Sequence, residues 1–123
     1  MNTPAYLDLE DLATATYSAI DDALAHVGIK AVNGKLIQRP GPPPEVDDRE
    51  ILCLALLQEF LGFESDNEFY LWLETNSTIK ELFPRRLSRP NFAERRAFLS
   101  PIIARLTLAL CEIQSESDTP FLS

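Results

Sequence analysis

Asp47-Asp-Arg-Glu-Ile-Leu-Cys-Leu-Ala-Leu-Leu-Gln-Glu-Phe-Leu-Gly62 is the stretch that decides the fold. Asp47 and Glu50 stand at capping-box spacing, and an apolar run begins directly after them. Ile51, Leu52, Leu54, Ala55, Leu56, Leu57, Phe60 and Leu61 leave almost no polar face. A helix that is apolar on most sides has to be covered on most sides, which predicts the centre of a helical bundle. Leu54, Leu56 and Phe60 are expected to be nearly fully buried there. Gly62 supplies the stop.

Working outward, a first helix is predicted from Asp8 or Leu9 to Gly28. Leu9, Leu12, Ala13, Tyr17, Ile20, Ala23, Leu24 and Val27 recur at helical spacing, and Glu10 and Asp11 suit its positive end. Residues 29–46 connect it to the central helix. Asn33-Gly34 is a turn signal, and Arg39-Pro-Gly-Pro-Pro-Pro44 favours an extended, stiff path. This connector is either an ordered strap or a mobile linker. Beyond Gly62, Ser65 and Glu68 form a second capping box for a helix whose Phe69, Trp72 and Leu73 share a face. Trp72 with Phe69 and Tyr70 has the composition of a base-stacking platform, but the helical spacing favours core packing. A short helical turn is expected from Thr78 to Phe83, ended by Pro84. The last stretch reads as one broken helix or two: Ser88 caps the first part, with Phe92 and Leu99 on one face. Ser100-Pro101 opens the second, with Ile102, Ile103, Leu106, Leu110 and Ile113 as its stripe. Residues 115–123 form a polar tail. The expected fold class is therefore all-α, a small bundle of four to six helices with a Pro-rich connector after the first. It is one domain overall, comprising residues 1–28, 29–46, a helical core 47–114, and the tail.

Composition narrows the function classes. The chain has 123 residues, 46% hydrophobic and 24% charged, as in an ordinary globular domain. No apolar run approaches the ~20 residues that span a bilayer, and the N-terminus lacks a basic-then-apolar signal pattern, so a cytoplasmic protein with no membrane partner is expected. Cys53 and Cys111 sit in apolar helical runs and read as small buried hydrophobes. His26 is the only histidine, which argues against a metal site and against a serine nucleophile with an orienting base. Asp21-Asp22 and Asp47-Asp48 are adjacent pairs. Neighbours on a helix point about 100° apart, so neither pair is a natural two-carboxylate site, and they read as a solvated face and a helix start. His26 reads as a surface residue or a partner for a helix C-terminus. No catalytic residue, metal site or cofactor is expected within the chain.

The net charge is -8, but it is unevenly spread. Residues 1–79 carry four basic side chains against fourteen acidic ones, whereas residues 80–105 carry seven against two, a local balance of +5. Within that segment Arg85, Arg86 and Arg89 flank a helix start, and Arg95 and Arg96 fall on either side of the apolar stripe that Phe92 marks. Such a face is suited to phosphate oxygens. Intramolecular pairing with the acids of residues 1–79 is the equal alternative.

The order of these elements resembles a known family. Pro42-Pro-Pro-Glu-Val-Asp-Asp-Arg-Glu-Ile-Leu-Cys-Leu-Ala-Leu-Leu-Gln-Glu-Phe-Leu-Gly62 is followed by Glu68-Phe-Tyr-Leu-Trp-Leu73 and then Leu82-Phe-Pro-Arg-Arg-Leu-Ser-Arg-Pro-Asn-Phe-Ala-Glu-Arg-Arg96. This is similar to the N-terminal region of bacterial insertion-sequence transposases of the DDE, RNase H-like type. The positions that carry the resemblance are Glu50, Ile51, Leu52, Phe83, Pro84, Ser88, Phe92, Arg95 and Arg96, over about residues 1–113. It implies DNA as partner, the terminal repeats of a mobile element, with Arg85, Arg86, Arg89, Arg95 and Arg96 contacting it. The family's chemistry is DNA transposition by three metal-binding acids, using magnesium, that lie downstream of this region. Asp118-Thr-Pro120 is only faintly similar to the first of them and takes no catalytic role. The expectation is a transposase N-terminal part, truncated before the catalytic acids, that does not nick DNA by itself. The rivals are a protein-interaction or homodimerisation module without DNA binding, and an inactive transposase remnant.

Overall fold

The computed structural model describes residues 8–85 and 87–117. It is all-helical, with six helices and no strand among the described residues: α1 (Leu9–Val27), α2 (Asp48–Leu61), α3 (Asp66–Thr75), α4 (Ser77–Leu82), α5 (Arg89–Phe98) and α6 (Ser100–Ser117). No described helix is long and apolar enough to cross a membrane. The expected side-chain position of Ile113, and Asp118 with the rest of the tail, lie outside the described residues.

Short polar side chains start the helices by accepting backbone N–H groups that the first turn leaves unpaired. Asp8 accepts from Asp11, Asp47 from Arg49, Ser65 from Glu68, Asn76 from Ile79, and Ser88 from Asn91. Gly28 and Gly62 end α1 and α2 with φ of 75° and 80°, a left-handed conformation that glycine adopts without steric cost. α5 and α6 are two helices joined at Leu99. Pro101 has no N–H to offer the α5 ladder, so the chain restarts at Ser100.

α2 is central, with every side chain from Ile51 to Gln58 buried. α1 packs on it and on α6 through Ala13, Ile20, Ala23 and Leu24, while α5 closes another side with Phe92. Phe63, Phe69, Trp72, Tyr70 and Phe92 form a chain of ring contacts with centroids 5.3–6.5 Å apart, so the aromatic face of α3 is core packing. One core residue differs from expectation. Leu54 and Leu56 are buried, but Phe60 is 57% exposed. α6 packs on α1 and α5 and leaves a groove against the last turn of α2, and Phe60 lies in its wall with Leu56, Ile103 and Leu110.

The connector is an ordered strap. Asn33 and Gly34, at φ 55° and 77°, turn the chain so that Val32 and Lys35 pair through their backbones. Lys35, Leu36 and Val46 are buried. The Lys35 ammonium donates to the carbonyls of Arg39 (2.9 Å) and Gly41 (2.7 Å) and so holds the Pro-rich bend closed.

Candidate nucleic-acid interface

α5 carries the arginines because Ser88 and Pro90 start it and Phe92 turns one side into the core. Arg95 and Arg96, three and four residues beyond Phe92, therefore flank the buried line. The structure gives them different surroundings.

Arg95 turns inward. Its Nη2 donates to Asp48 Oδ1 at 2.6 Å and to the Val46 carbonyl at 2.8 Å. Asp48 is fully buried at 0% exposure, which is tolerable only because donors surround it. Arg39 gives it two further bonds of 3.1 Å, one to each oxygen, and the Leu36 N–H gives another at 2.8 Å. Burial alone would push the Asp48 carboxyl up. Arg39, the Leu36 amide and Arg95 outweigh it and hold the carboxyl below its usual range. The Arg39 guanidinium also lies 4.8 Å above the Phe98 ring, so strap, α2 and α5 meet at one carboxylate.

The remaining arginines lie nearer to solvent. Arg96 Nη1 donates to Asp66 Oδ1 at 2.8 Å, and the same oxygen accepts Gln58 Nε2 at 2.9 Å. Arg89 Nη1 donates to Asn67 Oδ1 at 2.7 Å. Arg85 reaches the Glu45 carbonyl at 3.3 Å and is exposed. Arg86 lies outside the described residues. The alternative, pairing with the acids of residues 1–79, is what the structure shows at Arg96 and Arg95, and the expectation of a phosphate-facing arginine set is corrected at Arg95. The buried Asp48 draws that guanidinium out of solvent.

The family models, the curated proteins and the solved structures contain no match to this chain.

A shallow cleft beside α1 is lined by Tyr17, Asp21, Glu50, Leu82 and Phe83. Burial and the neighbouring Asp47 push the Glu50 carboxyl up, against the pull of Arg85 and Arg49. Burial also pushes the Cys53 thiol up to about 12, which leaves it an unreactive packing group, whereas Cys111 is exposed. His26, near the end of α1, faces Glu112 of α6 at 3.2 Å.

Sequence reasoning missed Asp48 and Arg39. Asp48 reads as an ordinary first-turn acid. Spacing does not single it out, because Asp47 and Glu50 also stand at i, i+4 and i+7 with apolar residues of the same run.

Proposed function

We infer that this domain is the helical N-terminal part of an insertion-sequence transposase, and that it contacts DNA phosphates through the start and outer edge of α5. The observation that carries the reading is the arginine edge of α5, with Arg89 exposed, Arg96 half-buried and exposed Arg85 just before them, inside a chain of net charge -8. The order of motifs shared with that family supports it. Strand transfer belongs, on this reading, to the family's catalytic acids, and this domain supplies attachment. Arg85, Arg86, Arg89 and Arg96 are the contacts. Arg95 holds the edge in place through Asp48.

The test is fluorescence anisotropy with a labelled terminal-repeat duplex between about 50 and 200 mM salt. Neutralising about four phosphates gives a slope of log K against log salt of roughly -3.6. Replacing Arg85 and Arg89 with alanine is expected to flatten it by about two units while leaving the melting temperature nearly unchanged. Absence of binding at the lowest salt rules the reading out.

A second reading has its own observation, the apolar groove of about 740 Å³ between α2 and α6. Its lining includes Glu59 and Arg96, opposite charges on one surface that two copies could pair across a two-fold axis. Light scattering that shows a dimer, converted to monomer by Phe60→Glu, would favour this homodimer module.

A further inference from the structure

Asp66, at the start of α3, sits where a phosphate would have to arrive. Arg89 and Arg96 are seven residues apart on α5, hence on the same side and about 10 Å apart along the axis. They rest on neighbouring residues of α3, Asn67 and Asp66 respectively. The two contacts differ in chemistry. Asn67 offers Arg89 a neutral amide oxygen, which leaves that cation's charge uncompensated. Asp66 offers Arg96 a carboxylate, an anion of the same kind of geometry that a phosphate presents. They also differ in support, because Gln58, 3% exposed, donates to the same Asp66 oxygen from the core and fixes the carboxylate in front of Arg96.

We propose that Asp66 is a built-in competitor for the phosphate site of Arg96, so that the free domain holds its own arginine edge partly neutralised and DNA must displace the carboxylate. The inference rests on the DNA-contact reading above. Solvent makes the exchange feasible. The Asp66 side chain is 53% exposed and that of Arg96 27%, and an ion pair in water at a surface is weak enough to be replaced by a second anion. The Arg95–Asp48 pair, with its carboxylate fully buried, is not open to such exchange. Two adjacent arginines therefore serve different ends, one fixed for the fold and one held in reserve. The device lowers non-specific affinity, since a ligand gains the Arg96 contact only after losing the Asp66 contact.

Asp66→Asn tests this, because the amide oxygen can still accept from Gln58 and Arg96 while the negative charge is gone. The expected result, by anisotropy with the same terminal-repeat duplex, is binding about threefold to fivefold tighter than wild type and a salt slope steeper by about one unit. Any acid removed nearby gives a small general gain, so Glu68→Gln, exposed in the same first turn of α3, is the charge-matched comparison. The gain of Asp66→Asn is expected to exceed that of Glu68→Gln, and to vanish when Arg96→Ala is added. Wild-type binding with equal gains from the two neutralised acids, or a gain that survives Arg96→Ala, overturns the competitor while leaving the DNA reading intact. No binding by either wild type or Asp66→Asn overturns both. Thermal melts confirm that each variant is folded.

Discussion

At the scale of single residues, Arg95 and Arg96 are chemically identical neighbours with opposite fates. Alanine at Arg95 strips one donor from a carboxylate that has no access to water, and is expected to destabilise the domain by about 3 kcal/mol. Alanine at Arg96 removes a partly solvated pair and is expected to cost less than about 1 kcal/mol. Urea midpoints of the two variants check the contrast, and equal losses would contradict it. Asp48 also sets an acid limb. Its ionised form is held better by the native state than by the unfolded chain, so its contribution is present at pH above about 4 and is lost as the pH falls through the depressed native value. Unfolding free energy followed from about pH 5 to about pH 2.5 is expected to fall, and less steeply in Asp48→Asn. None of this was evident from residue types. Adjacent acids at a helix start are common, and only the placement of Arg39 and Arg95 shows which one faces inward.

Among the elements, α2 and the caps were the most legible. An apolar run behind Asp47, and Ser65, Ser88, Gly28 and Gly62 at their expected places, are local signals that tertiary contacts did not override. Phe60 was not legible, because periodicity tells which residues need cover and not how far the covering helix extends. Leu52 and Leu57, each 0% exposed, are expected to lose ~2–5 kcal/mol on replacement by alanine. Phe60→Ala is expected to fall well below that range, since more than half of the side chain is already in water. Chemical denaturation of the three variants distinguishes a buried from an exposed last turn. The strap was legible as stiff but not as packed. What docks it is the Lys35 ammonium bound to two carbonyls and the Arg39–Asp48 pair, contacts that a Pro-rich composition does not foretell.

Across the whole molecule, the division between an acidic body and a basic segment was readable by counting, and the arginine edge of α5 was expected from the same count. How much of that charge stays available was not readable, because it depends on Asp48 and Asp66, which approach α5 from two other helices. On the DNA-contact reading, an acidic body would repel DNA away from that edge, so encounter would be oriented and steeply salt-dependent. The Asp48 centre has a separate consequence for motion. It joins chain positions 36, 39, 48 and 95, so the Leu36 amide, in the middle of a loop, is bonded to a buried carboxylate that α5 helps to hold through Arg95. That amide is expected to exchange its hydrogen for deuterium at the slow rate of the α2 core, while neighbouring strap amides exchange quickly. A single protected loop proton thus reports the release of the strap from α2, and Arg95→Ala is expected to free it before the amides of Leu52 or Leu57 respond.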